Sequence, residues 1–117
     1  MARAKKCKFT IPTVSEEDFA AEVLRSNRPT LVVFEAPWSQ PCVILKDALD
    51  EVAAQCGQAV RILRVNVDNH PDLGVWFEIE SIPTLLCFVG GTVRARIVGT
   101  ASKAAIMTRL MPLCTGT

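Results

Sequence analysis

Five cysteine thiols carry most of the reactive chemistry that this 117-residue sequence offers, and they are widely separated. They stand at positions 7, 42, 56, 87 and 114, and no two of them form a Cys-x-x-Cys pair. An odd number at such spacing is not typical of a disulfide framework. A structural zinc site needs four Cys or His ligands, mostly in close pairs, and His70 is the only histidine. We therefore expect free thiols, no metal and no cofactor.

Cys42 differs from the other cysteines because it lies where a predicted strand passes into a predicted helix. Thr30–Glu35 is a β-branched and aromatic run bounded by prolines, as buried strands often are. Ser39 can cap the helix that follows, Pro41 falls in its first turn, and Gly57 ends it. The apolar positions expected to bury this helix are Val43, Leu45, Ala48, Leu49, Val52 and Ala53.

Further helices and strands alternate along the rest of the chain. The patterns predict helices from Ser15 to about Arg25, from Pro71 through Phe77 and from Ser102 to Pro112, and strands at Val60–Val67, Thr84–Val89 and Val93–Val98. Gly90-Gly91 allows the positive φ of a primed hairpin turn, so the last two strands should be antiparallel. The order predicts an α/β fold with helices on both faces of a mixed sheet. That sheet has about four strands, or about five if Phe9–Ile11 adds one.

Charge and hydropathy narrow the function classes. Lys and Arg total 13 against 12 for Asp and Glu, a balance that leaves no electrostatic footprint for nucleic acid or an anionic membrane. No apolar run reaches signal-peptide length or the ~20 residues of a membrane helix. We expect one soluble, cytoplasmic, monomeric domain over residues 13–111, with a basic tail at 1–12 that includes the possible first strand, and a short tail at 112–117.

Four motifs occur in an order that resembles the thioredoxin family: APWSQPC, RVNVD, SIPTLLCFVGG and IVG. The resemblance covers about residues 13–111 and implies the thioredoxin fold, with the active-site helix starting at WSQPC. Pro83 matches the family's cis-proline. In the family, the backbone just before this proline pairs with an extended segment of substrate, a short form of strand addition, and Ile82 is the matching residue here.

The same resemblance implies a change in the chemistry of the site. The family uses two thiols, one that attacks a substrate disulfide and one that resolves the mixed disulfide. The attacking position is Ser39 here, and Cys42 is the resolving position. Serine cannot form a disulfide, so positions 39 and 42 cannot store an electron pair. The family's buried acid falls on Val33, and Arg64 stands where the family commonly has lysine. Together these departures predict loss of ordinary dithiol turnover.

Two alternatives stay open around this site. Glu35 follows Val33 by two residues, so both side chains point to one face of a regular strand, and a relocated acid is conceivable. We favour an exposed carboxylate at a strand end. An engineered Ser39 is the other alternative, although Val33 and Gln40 would then need separate explanations.

Apolar residues near the motifs predict a shallow substrate groove. Its expected members are Trp38, Gln40, Pro41, Ile82, Pro83, Val98 and Gly99. Trp76 and Phe77 occur at core spacing and are expected to pack inside. Among the other thiols, Cys87 should be core, whereas Cys7, Cys56 and Cys114 should be more exposed.

Three functions are compatible with these residues. The first is a module that binds extended or unfolded polypeptide, with Cys42 available for mixed disulfides. The second is a thiol-disulfide oxidoreductase that maintains redox homeostasis through Cys42 alone or through Cys42 and another cysteine, acting on protein thiols or glutathione. The third is iron-sulfur ligation by Cys42 with external thiols, which we rank last because no further ligand is visible.

Overall fold

The computed structural model describes residues 11–115 and has a βαβαββα order after a short helical segment. The elements are a π-helical turn at Ala20–Leu24, β1 at Thr30–Glu35, α1 at Gln40–Cys56, a 3₁₀ turn at Gly57–Ala59, β2 at Arg61–Asn66, α2 at Pro71–Trp76, β3 at Thr84–Val89, β4 at Thr92–Val98 and α3 at Lys103–Thr115. Within this described range, no helix is long and apolar enough to cross a bilayer.

The four strands form one mixed sheet in the order β2-β1-β3-β4. β1 and β2 are parallel, whereas β3 is antiparallel to both β1 and β4. Gly90 and Gly91 join β3 to β4 with φ values of +60° and +82°, the left-handed backbone that a primed hairpin turn requires. The predicted α/β fold with a mixed sheet is confirmed.

An additional N-terminal strand was predicted at Phe9–Ile11, and Phe9 lies outside the described residues. Inside that range, Thr13 forms a single parallel bridge with Arg64 of β2. The neighbouring backbone bonds run from Val14 N to Arg64 O at 2.8 Å and from Arg64 N to Pro12 O at 2.9 Å. The chain thus touches the free edge of β2 at one point.

Two apolar clusters lie on opposite sides of the sheet because successive side chains of a strand point to opposite faces. On one side, Leu31 and Val33 of β1 pack with side chains of α1 and α3. On the other side, Val32 and Phe34 pack with Leu73 of α2 and with the π-helical turn. Both faces are therefore covered, and β1 is buried between them.

Two helix boundaries differ from the prediction. The helix expected from Ser15 to about Arg25 is a turn followed by the π-helical segment at Ala20–Leu24. α3 continues through Pro112 to Thr115, although proline lacks the N–H that an interior helical position needs. Leu113 and Cys114 pack against the core cluster beneath α1 and α3, which holds this last turn in place.

Candidate functional site

The predicted site residues leave the sheet at one end. Phe34 near the end of β1 pairs with Thr84 at the start of β3, and Thr84 pairs with Val98 at the end of β4. The segments that carry Ser39, Pro83 and Gly99 therefore begin or finish at the same edge. A direct bond joins two of them, since the Gly99 N–H donates to the Pro83 carbonyl at 2.8 Å.

Ser39 is the N-cap of α1. Its backbone is extended, and its Oγ accepts a long hydrogen bond from the Cys42 N–H at 3.4 Å. Its carbonyl accepts from the N–H groups of Cys42 and Val43 at 3.1 and 3.2 Å. These bonds satisfy amides that a helix start leaves without intrahelical partners. The predicted capping role of Ser39 is confirmed.

The Cys42 side chain lies one turn into α1 and is shielded from solvent. Cys42 is 7% exposed and Ser39 is 5% exposed. Gln40 and Pro41, between them, are exposed. Cys42 is therefore a largely buried thiol beside an exposed first turn of the helix.

Trp38 projects into solvent yet is held in one place. It is 70% exposed, and its indole Nε1 donates to Asp68 Oδ2 at 2.7 Å. Asp68 belongs to the turn after β2, which Asn66 organises by accepting N–H bonds from Asp68 and Asn69 at 2.9 and 3.2 Å. The sequence predicts this turn but not Asp68 as the partner of Trp38, because a local sequence pattern does not show which distant loops contact each other.

The Ile82–Pro83 peptide bond is cis, the conformation that the resemblance implies. Thr84 Oγ1 donates to the Ser81 carbonyl at 2.7 Å and closes the turn around this bond. Gly99 has a φ of +89°, which a side chain would disfavour. Ile82 is half-buried and Val98 is exposed, so both present apolar surface at this end of the sheet.

The acid position differs from the expectation for Glu35. Val33 is fully buried in the cluster beneath α1 and α3 and cannot titrate. The Glu35 side chain is only 19% exposed, and its Oε2 lies 3.3 Å from Arg64 Nη1. Burial raises the pKa of Glu35, although the nearby Arg64 guanidinium acts to lower it. The preferred expectation of an exposed carboxylate is wrong, because the Glu35 side chain is largely buried and lies beside Arg64 of the adjacent parallel strand β2.

Apolar surface is more extensive around α1 and α2 than predicted. Val43 and Trp76 were expected to pack inside, and both expectations are wrong, since Val43 is 55% and Trp76 is 62% exposed. Other large exposed apolar side chains in the described range include Ile44 and Val75. Three consecutive apolar residues from Val43 to Leu45 cannot all face the core of one helix, and this was the available signal. Phe77, by contrast, packs against Phe19, Phe34 and Phe88.

A groove of about 580 Å³ adjoins Ile82 on the α2 side. Its lining includes Val67, Gly74, Val75, Ile79 and Ile82, together with Glu78 and Glu80, and we call it the α2 groove. Sequence reasoning predicted only Ile82 among these residues.

The other cysteines of the described range lie outside the Ser39–Cys42 segment and are free thiols. Cys87 is buried, as predicted, and burial raises its pKa to about 11. Cys56 and Cys114 are half-buried, and the Cys56 Sγ lies 3.8 Å from Met107 Sδ. Cys7 lies outside the described residues. Over residues 11–115, no group of three or more His, Cys, Asp or Glu side chains is arranged to hold a metal ion.

A mixed sheet whose central strand leads into a serine-capped, cysteine-bearing helix defines a thiol-bearing α/β domain. The thioredoxin family model matches residues 10–111. The chain is 38% identical over 97 residues to a protein named thioredoxin from Mycobacterium tuberculosis (strain CDC 1551 / Oshkosh), covering 83% of this chain and 84% of that protein. It is 31% identical over 102 residues to a thioredoxin from Pyropia yezoensis, covering 87% and 95% of the two chains.

A longer relative contains a similar region. The chain is 38% identical over 107 residues to a bifunctional thioredoxin reductase/thioredoxin from Mycobacterium leprae (strain TN), and this match covers 92% of the chain but 23% of that protein. From these matches, the chain belongs to the thioredoxin family.

Proposed function

We propose that this chain binds extended or unfolded polypeptide at the end of the sheet around Trp38 and Ile82, and that Cys42 forms mixed disulfides with bound clients. The observation that carries the proposal is the apolar surface beside the capped helix, where Trp38, Val43 and Ile44 are all exposed. Large apolar side chains grouped on a surface are typical of sites that bind other proteins.

The hydroxyl at position 39, in place of a thiol, determines the chemical part of the proposal. In the forward step, the Cys42 thiolate attacks a client disulfide, a new Sγ–S bond forms, and the other client sulfur leaves as a thiolate. Resolution of this mixed disulfide needs a second thiolate. Ser39 provides a hydroxyl in place of a thiol, so release depends on an external thiol such as glutathione or a second protein.

A second candidate is a thiol-disulfide oxidoreductase that completes its cycle with that external thiol and maintains redox homeostasis. The similarity to proteins named thioredoxin supports this candidate more than a pure binding module. The two candidates share the same surface and the same first covalent step. They differ in whether turnover follows.

Two assays distinguish them. Suppression of aggregation of a reduced, unfolded client should persist in Cys42→Ala and fall in Trp38→Ala. Val93→Ala is the matched control, because Val93 is also an exposed apolar residue but lies beside the hairpin at the opposite end of β4. Insulin reduction driven by excess glutathione should be absent if the chain only binds, and should be present and lost in Cys42→Ala if it is a one-thiol enzyme. If Trp38→Ala suppresses client aggregation as well as the unmodified chain does, the binding proposal is contradicted.

A further inference from the structure

The α2 groove adds charge to an otherwise apolar binding surface. Its lining is apolar at Val67, Ile79 and Ile82, whereas Glu78 and Glu80 contribute carboxylates. Both glutamates are exposed, and neither takes part in any ion pair or side-chain hydrogen bond shown for residues 11–115. The groove therefore presents two solvated negative charges beside an apolar surface, and no cation within residues 11–115 forms an ion pair with them.

One cation of β4, Arg96, already has a hydrogen-bond partner close to this region. Arg96 Nη2 donates to the Phe77 carbonyl at 2.9 Å, at the C-terminal end of α2. No ion pair joins Arg96 to either glutamate in the described part of the chain. The carboxylates thus stay available to a ligand from outside.

Glu78 occupies a backbone position at which glycine is the usual residue. The Ile79 N–H donates to the Gly74 carbonyl at 2.8 Å and the Glu78 N–H to the Val75 carbonyl at 3.1 Å, which together form a Schellman motif at the end of α2. Glu78 has a φ of +56°, a conformation that costs a residue with a side chain more than it costs glycine. The sequence places a carboxylate at the groove in spite of this cost.

We propose that the α2 groove binds the continuation of an extended client polypeptide and selects clients that carry Lys or Arg beside an apolar residue. This inference rests on the proposed function, because Ile82 belongs both to the groove and to the segment before Pro83 where the client backbone is expected to pair. The apolar client side chain contacts Val75 and Ile79. The cationic side chain approaches Glu78 and Glu80, and its aliphatic stem lies along the apolar lining.

The test compares three fluorescent peptides with the same extended apolar centre and Lys, Gln or Glu at the flanking positions. Fluorescence anisotropy at low ionic strength measures the dissociation constant of each with the full chain. We expect the Lys peptide to bind about three- to tenfold more tightly than the Glu peptide, since each exposed ion pair contributes a small amount. The preference should shrink as salt is added.

The variants separate the groove from general charge. Glu78→Gln combined with Glu80→Gln should remove most of the preference for the Lys peptide and leave the affinity for the Gln peptide nearly unchanged. Glu51→Gln, an exposed glutamate on α1 outside the groove, is the matched control and should keep the preference. A preference that survives in the double variant overturns the inference.

A steric variant tests the location of the bound segment. A Cβ added at Gly74 would lie 3.9 Å from Val67 Cγ1 and 4.0 Å from Ile79 Cβ, ordinary contact distances, so the backbone admits a side chain there. Gly74→Leu should fill the groove and weaken all three peptides, with circular dichroism confirming the fold. Undiminished binding in a folded Gly74→Leu overturns the groove as the site. Equal binding of the three peptides to the unmodified chain overturns the charge selection alone, whereas no binding of any peptide overturns the proposed function with it.

Discussion

Trp38 and Asp68 join the loop after β1 to the turn after β2 through one hydrogen bond, from the indole Nε1 to Oδ2 at 2.7 Å. The bond fixes an aromatic ring that is otherwise largely in solvent. An aromatic ring held in a single orientation loses less conformational entropy when a ligand packs against it.

Asp68→Ala should therefore loosen Trp38 and weaken client binding. We expect the affinity for an extended peptide to fall about threefold, corresponding to the net contribution of one hydrogen bond. Time-resolved anisotropy of Trp38, in a Trp76→Phe background, should show faster motion of the indole. Asp68→Asn keeps an acceptor oxygen and should restore both properties, and equal motion in all three proteins would contradict the bracing role.

Ser39→Ala tests the cap of α1. Loss of the Oγ acceptor leaves the Cys42 N–H with only the backbone carbonyl of residue 39, so the free energy of unfolding should fall by about 1 kcal/mol. Urea denaturation followed by circular dichroism measures this change. Ser39→Asp keeps a capping oxygen and is the control, and an unchanged midpoint in Ser39→Ala would show that the long Oγ bond contributes nothing.

Ser39→Cys tests how far the rest of the site supports dithiol chemistry. A second thiol at the N-cap can attack a disulfide or resolve a mixed disulfide with Cys42. We expect dithiothreitol-driven insulin reduction to rise well above that of the unmodified chain and to vanish in Ser39→Cys combined with Cys42→Ser. If no activity appears in Ser39→Cys, then Val33 and Gln40 also limit the reaction.

Glu35 predicts a specific dependence of stability on pH. Its pKa in the folded chain lies above the ordinary value of 4.5, chiefly because of burial, so the folded state keeps this proton to higher pH than the unfolded chain does. The contribution of Glu35 to the free energy of unfolding therefore falls as pH rises from about 4.5 through the raised pKa. The stability of the unmodified chain relative to Glu35→Gln should be lower at about pH 7 than at about pH 4.

Urea unfolding of both proteins at the two pH values measures this difference. Glu51→Gln is the control, because Glu51 is exposed and should show no comparable change relative to the unmodified chain. A difference between the unmodified chain and Glu35→Gln that is independent of pH would contradict the prediction.

Cys87 should be the least reactive cysteine of the folded core. Burial raises its pKa to about 11, so almost no thiolate forms at neutral pH, and the side chain is also shielded. Iodoacetamide labelling followed by peptide mass spectrometry should modify Cys87 much more slowly than the half-buried Cys56. The two rates should converge in urea, and equal rates in the folded protein would contradict the buried position.

Much of the scaffold was predictable because its signals are local. The boundaries of β1 and the cap at Ser39 follow from prolines, β-branched residues and a capping side chain within a few positions of each other. The α/β class follows from the alternation of such segments. Membership of the thioredoxin family adds the common plan on which these segments are arranged.

The residues whose exposure was wrongly predicted have one thing in common. Their burial depends on contacts with parts of the chain that are distant in sequence. Glu35 is paired with Arg64 of β2, which is far away in sequence. Trp76 has the spacing of a core residue, but α2 is a single short helix in which Leu73 is the buried residue, and the partly buried Phe77 follows it at the C-cap. Periodicity identifies the faces of a helix and does not say how wide the buried face will be.

The serine cap of α1 also has a consequence for the protein's response to oxidants. A site with two neighbouring thiols exists in a closed, disulfide form and an open, reduced form, and the balance between them follows the surroundings. With a hydroxyl at position 39, no covalent bond can form across the helix start. The apolar surface beside Trp38 therefore does not alternate between two forms set by an internal disulfide between positions 39 and 42.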